Sequence, residues 1–295
     1  MYINNLSDIG KEIQIDLSRY NHVIRRANNL DRLIVEASGV QIGGPETIVI
    51  AGPCSVESQE QLSRIAETVK ASGAKMLRGG AYKPRTSPYS FQGLEEEGLK
   101  ILKQVSMEFD IPVITEVMDQ RKLELIYDYV DFLQVGSRNM HNTPLLKEVG
   151  KVKKPVLLKR GMSATIEEFL FAAEYIMKEG NDQVILCERG IRTFETSTRF
   201  TLDIAAIALL KRISHLPVIA DPSHGSGHWW LVPELAKAAL AAGADGLMIE
   251  VHHNPEMAKS DGNQSLKPDR FKTFMDELSH LEESLGKYIS HPQLV

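Results

Sequence analysis

Apolar and polar positions follow a repeating pattern from residue 47 onward. Short runs rich in Val, Ile and Leu alternate with longer stretches whose apolar residues recur every three or four positions. The runs are 47–54 (TIVIAGPC), 74–80 (AKMLRGG), 112–117 (PVITEV), 131–138 (DFLQVGSR), 155–161 (PVLLKRG), 183–190 (QVILCERG), 217–224 (PVIADPSH) and 246–252 (GLMIEVH). Each is bounded by Gly, Pro or polar residues and is apolar throughout, as expected of parallel strands buried on both faces. Between them lie helical patterns. In 165–180, Ile166, Phe169, Leu170, Ala173 and Ile176 form one apolar stripe, and Thr165 with Glu168 reads as a capping box. The last helical segment covers roughly 268–286. Eight strand–helix units in unbroken series predict an α/β chain of the (β/α)8 TIM-barrel class, with residues 46–295 forming the barrel. Residues 1–45 form a separate extension, too short for a full domain. Within it, 31–44 (DRLIVEASGVQIGG) reads as a short β-hairpin that plugs the bottom of the barrel.

The strand ends add a second regularity: Cys54, Arg78, Glu116, Arg138, Lys159, Arg189, His224 and Glu250 stand at or just past them. Barrel enzymes carry their active sites at this C-terminal rim, so the convergence predicts catalysis. Composition narrows the class further. A net charge of −5 disfavours nucleic acid as a partner, and no apolar run has the roughly 20 residues of a membrane helix. The N-terminus lacks the layout of a signal peptide, and two cysteines do not make a disulfide framework, so the expected setting is cytoplasmic.

Cys54, His224, Glu250 and Asp261 offer a thiolate, an imidazole and two carboxylates, a ligand set for one divalent transition metal (Mn, Fe, Co or Zn). Cys187 lies two residues before Arg189, on the same face but one layer deeper, and is assigned to the core. Arg78, Lys83, Arg85, Arg138, Lys159 and Arg189 outnumber the carboxylates near them in the pattern, so an anionic substrate is expected to complete the charge balance. His228, Trp229 and Trp230 read as packing against a neighbouring subunit or loop, the Glu95–Glu97 run as the solvated start of a helix, and His252 and His253 as lying outside the ligand set.

The segments 51–58 (AGPCSVES), 77–93 (LRGGAYKPRTSPYSFQG), 134–142 (QVGSRNMHN), 155–161, 185–195 (ILCERGIRTFE), 221–227 (DPSHGSG) and 250–266 (EVHHNPEMAKSDGNQSL) resemble those of 3-deoxy-arabino-heptulosonate-7-phosphate (DAHP) synthases of the type I-beta class. The resemblance runs from about residue 45 to about 270 and touches every strand end in order. It implies a metal-dependent, aldol-like condensation of phosphoenolpyruvate with erythrose 4-phosphate, the first step toward aromatic amino acids, in a homotetramer. It implies metal ligation by Cys54, His224, Glu250 and Asp261, with Lys83, Cys54 and His224 in the catalytic centre. Phosphoenolpyruvate would meet Arg78, Lys83, Glu116, Gly136, Ser137, Arg138, Lys159 and Arg189. The aldose phosphate would meet Lys83, Pro84, Arg85 and Thr86, whereas the sister family acting on arabinose 5-phosphate carries an Asn-Arg-Ser type of loop there. The chain departs from the pattern at His228 and Trp229, where basic residues are usual, at Phe200, where Asn is common, and at Ser137, where Ala is frequent. The extension is too short for the regulatory domains that precede some of these barrels, so feedback inhibition of that kind is not expected.

Overall fold

The computed structural model describes residues 6–24 and 32–289. All eight apolar runs are strands. β3 (Ile48–Gly52), β4 (Met76–Arg78), β5 (Val113–Glu116), β6 (Phe132–Val135), β7 (Val156–Lys159), β8 (Val184–Glu188), β9 (Val218–Ala220) and β10 (Gly246–Glu250) pair in parallel and close into a barrel through the β10–β3 and β9–β10 ladders. Residues of odd and even parity face opposite layers, so a continuous apolar run fills both the interior and the seam beneath the helices.

The helices of the outer ring are α2 (Gln59–Ala71), α3 (Glu95–Phe109), α4 (Leu123–Tyr129), α5 (Thr143–Lys151), α6 (Ile166–Lys178), α7 (Ile204–Ile213), the short α8 (Pro222–Ser226), α9 (Val232–Ala241) and α10 (Pro268–Ser284). Their starts are written in the sequence. Ser58, Asn142, Asp203 and Asp221 each accept a backbone N–H at the first turn of the helix that follows, and Thr165 and Glu168 form the reciprocal capping box of α6. Phe169, Leu170, Ala173 and Ile176 are buried along α6, and Ile166 is half-buried. The acidic run Glu95–Glu97 opens α3 exposed to solvent.

Ahead of the barrel come α1 (Leu6–Glu12) and the antiparallel pair β1 (Val35–Ala37) and β2 (Val40–Ile42), with Val35 opposite Ile42. Val35, Val40 and Ile42 are buried in the same cluster as the inward-facing strand residues Ile48, Phe132, Leu157, Ile185, Cys187 and Met248, so this hairpin seals the N-terminal end of the barrel. Cys187 belongs to that interior layer. No helix among the described residues is long and apolar enough to cross a membrane.

Candidate active site

Alternation along the strands decides which side chains reach the rim. Interior positions Met76, Leu157, Cys187, Ile219 and Met248 are each followed two residues later by an interior polar group: Arg78, Lys159, Arg189, Asp221 and Glu250. With the loops beyond them they surround a cavity of about 360 Å³. Its wall includes Cys54, Arg78, Lys83, Pro84, Arg85, Thr86, Glu116, Gly136, Ser137, Arg138, Lys159, Arg189, His224 and Asp261. Every residue assigned from sequence to a substrate thus faces one cavity, and Glu250 lies fully buried behind it.

Three of the four proposed ligands converge: donor atoms of Cys54, Glu250 and Asp261 all lie within 4.8 Å of one another. That span suits donors sharing one ion at bonds of about 2.0–2.3 Å. Cys54 donates its thiol to Asp261 Oδ2 at 3.2 Å, and Asp261 holds a left-handed backbone conformation (φ +50°) that turns its loop back over the rim. His224 stands beside this group, with Nε2 3.5 Å from Glu250 Oε1. It lies not on a strand end but in α8, past the end of β9 at Ala220. Burial, with Glu250 nearby, pushes the Cys54 thiol up to about 12, so without a cation the sulfur keeps its proton. A soft thiolate donor, two carboxylates and an imidazole in one buried pocket fit a first-row divalent metal, whose charge reverses that penalty.

The outer partners were not visible in the sequence reading. Asp221, fully buried, lies 2.7 Å from His224 Nδ1, pairs with Lys159 and caps α8. It is held well below the usual carboxylate range by His224 and Lys159, which overcome the cost of its burial. Such a carboxylate behind a ligating imidazole fixes the ring and its tautomer. The parity rule that placed Cys187 in the interior places Asp221 there as well, two residues past Ile219. Arg78 donates to Glu250 Oε1 at 2.8 Å, and Gln264 donates to Glu250 Oε2 at 2.7 Å. Arg199 donates to Gln264 Oε1 at 2.7 Å and to Asp261 Oδ1 at 3.2 Å. Gln264 ends a single 3-10 turn (Gly262–Gln264) and Arg199 sits in an irregular loop, and neither stands at a strand end.

Two of the six site cations are therefore neutralised inside the protein, Arg78 by Glu250 and Lys159 by Asp221. Lys83, Arg85, Arg138 and Arg189 form no ion pair among the described residues. Lys83 donates to Cys54 O at 2.9 Å and Sγ at 3.0 Å, and Arg85 to the carbonyl of Phe91 at 2.8 Å. Arg138 is exposed at the cavity mouth in the turn Ser137–Asn139. Arg189 is buried, and burial pushes its guanidinium down to about 10. Glu188 answers a different cation: it accepts from Arg160 at 2.9 Å, away from the cavity.

Gly136 marks a close approach. A Cβ there would fall 2.0 Å from Glu116 Oε1, so only glycine lets that carboxylate lean across the cavity floor. His252 is buried with Nε2 3.6 Å from Glu57 Oε1, outside the ligand set, whereas Trp229 and Trp230 are largely exposed beyond the rim.

A family model described as the DAHP synthetase I family matches residues 23–287. Phospho-2-dehydro-3-deoxyheptonate aldolase of Thermotoga maritima is 48% identical over 264 residues, which span 90% of this chain and 78% of that protein. 2-Dehydro-3-deoxyphosphooctonate aldolase of Koribacter versatilis is 32% identical over 267 residues, spanning 83% of this chain and 95% of that protein. The crystal structure of the Thermotoga enzyme superposes with a TM-score of 0.89 at 47% identity, covering 92% of this chain and 79% of that one. A truncated form of 3-deoxy-D-arabino-heptulosonate 7-phosphate synthase from the same organism gives 0.84 at 44% identity, covering 91% and 98%.

Proposed function

The chain belongs to the DAHP synthetase I family, and from that premise we propose that it condenses phosphoenolpyruvate, erythrose 4-phosphate and water into 3-deoxy-D-arabino-heptulosonate 7-phosphate and phosphate. The observation that carries the reading is a single cavity in which cations without carboxylate partners face a thiol–carboxylate–imidazole cluster. C3 of phosphoenolpyruvate bonds to the aldehyde carbon, and the aldehyde oxygen takes a proton. A water oxygen adds at C2, losing a proton, and phosphate leaves with cleavage of its bond to C2.

Arg138, Lys159 and Arg189 hold the phosphate of phosphoenolpyruvate, and Arg78 and Lys83 face its carboxylate. Gly136 and Ser137 shape the floor, and Glu116 lies beside the reacting carbons. Pro84, Arg85 and Thr86 take the phosphate of the aldose. Lys83, half-buried and next to Cys54, carries its proton where the two substrate positions meet. These fixed charges orient both substrates before reaction and need no rearrangement during it. Cys54, His224, Glu250 and Asp261 would hold one divalent metal (Mn, Fe, Co or Zn), which when bound supplies Lewis-acid polarisation of the aldehyde oxygen. Residues 46–295 form the catalytic barrel and 1–45 an accessory extension. The same reading carries a homotetramer, to which the exposed Trp229 and Trp230 lend a surface, and a cytoplasmic setting.

The sister chemistry on arabinose 5-phosphate is the second reading, favoured by the 32% relative named for the octonate product. The Lys83-Pro84-Arg85-Thr86 segment and the 48% relative favour erythrose 4-phosphate. Phosphate release from phosphoenolpyruvate, measured with each aldose and with or without EDTA, decides. Release with erythrose 4-phosphate, lost on chelation and restored by a divalent metal, is the expected result. A preference for arabinose 5-phosphate would move the chain to the sister reaction, and silence with both would overturn the proposal.

A further inference from the structure

Arg189 poses a problem of charge. Its side chain is buried (4% exposed), yet it has no ion pair among the described residues, and its Nε has no acceptor there. Among the described residues its one hydrogen bond is a long one, from Nη1 to the carbonyl of Gly190 at 3.4 Å. Asp221 is near enough to attract it but is engaged by Lys159 and His224. What the guanidinium does meet is an aromatic face: its Cζ lies 4.1 Å from the centroid of the Phe200 ring.

That contact is built by the backbone. Ile191 and Thr201 exchange reciprocal backbone hydrogen bonds of 3.0 and 2.9 Å, folding the loop after β8 back on itself and setting Phe200 against Gly190. Gly190 adopts φ +92°, and a Cβ on it would lie 2.8 Å from Phe200 Cβ, so the close approach depends on glycine. The same ring carries a second guanidinium, with Arg199 Cζ 5.6 Å from its centroid. Arg199 in turn donates to Asp261 and Gln264, joining the ring to the loop that bears a proposed metal ligand.

We propose that Phe200 is a positioning residue for phosphoenolpyruvate: its ring face holds the Arg189 guanidinium by cation–π attraction while leaving the in-plane N–H donors free for the phosphate. A carboxylate partner would fix the arginine equally well but would occupy the donors the ligand needs. A ring quadrupole attracts from above the guanidinium plane and competes for none of them. The proposal rests on the reading of Arg189 as a phosphate-holding residue.

The test uses the metal-loaded protein, with phosphoenolpyruvate affinity measured by calorimetry in the absence of aldose and steady-state kinetics alongside. Phe200 is replaced by Tyr, by Leu and by phenylalanines of increasing ring fluorination, which keep the shape while draining the face of negative charge. Affinity should weaken stepwise with fluorination, reaching about 2- to 30-fold for the most fluorinated ring and for Phe200→Leu. Phe200→Tyr should hold near wild type. KM for phosphoenolpyruvate should rise with KM for erythrose 4-phosphate unchanged. Affinity that ignores fluorination, while Arg189→Met weakens binding strongly, would reduce Phe200 to packing and overturn the proposal alone. Affinity that ignores Arg189→Met as well would overturn the assignment of Arg189 with it. Melting curves on each variant confirm that affinities are compared between folded proteins.

Discussion

The two ends of the barrel handle buried charge in opposite ways. At the N-terminal end, Asp245 is buried and answered: Lys211 pairs with it, the Val218 N–H donates to it at 2.8 Å, and Arg32 and Lys287 approach to 3.9 and 3.8 Å. Beside it the β1–β2 hairpin closes the interior with Val35, Val40 and Ile42. At the C-terminal end, Arg189 is buried with an aromatic ring where a carboxylate would normally stand, and a thiol shares its pocket with two carboxylates. A barrel selected only for stability would have no reason for the second arrangement, because each uncompensated charge weakens the fold. The rim is electrostatically incomplete by itself: Lys83, Arg85, Arg138 and Arg189 face the cavity with no ion pair among the described residues.

The largest effect should follow from removing a metal ligand. Cys54→Ser, or exhaustive chelation of the wild type, should take turnover to background, beyond the roughly 10–100-fold attached to the outer partners of metal sites. Circular dichroism should show the barrel intact, and a chelated or substituted protein with full activity would dissolve the contrast between the ends. Next comes the opposite end. Lys211→Met removes the closest cation from the buried Asp245 carboxylate, leaving it Arg32, Lys287 and the Val218 N–H, and should cost about 2 kcal/mol in denaturant unfolding, with KM for both substrates unchanged. Arg189→Met should do the reverse. It should lower kcat/KM for phosphoenolpyruvate by about 100-fold, the loss typical of one preorganised donor, while the melting temperature holds or rises. A melting temperature that falls with Arg189→Met as it does with Lys211→Met would break the comparison.

The smallest effect is away from both ends. Thr165→Ala removes the α6 cap and should cost about 1 kcal/mol with kinetics untouched. Hydrogen bonding from the Thr165 backbone holds Glu168 below its ordinary pKa, so that support is complete at neutral pH and lost as pH falls through the folded value. Thermal melts between pH 7 and 3 should therefore converge for wild type and Glu168→Gln at the acid end.

The eight strands, the capping box and the plugging hairpin were all legible in the chain, because each depends on residues close together in sequence. A run such as Val184–Leu186 has only one comfortable environment, and Ser58, Asn142 and Asp203 announce the helices they cap. Candidates at strand ends, such as Arg78, Lys159, Arg189 and Glu250, were legible for a related reason: polarity at the end of a buried barrel strand is conspicuous. The sequence balance of cations against carboxylates, by contrast, overstated the deficit. Arg78 pairs with Glu250 across 172 residues and Lys159 with Asp221 across 62, and neither partnership leaves a trace in local pattern.

The amino-acid sequence by itself determined the barrel, the rim on which chemistry sits and the residue types available there, since hydrophobic period and turn chemistry act over a few residues. Only the tertiary structure decided which charges are answered and which wait for a ligand. It set Gln264 on Glu250, Asp221 behind His224 and Phe200 against Arg189, because those contacts exist only when closure of the barrel and the return of its loops bring distant segments within a few ångströms.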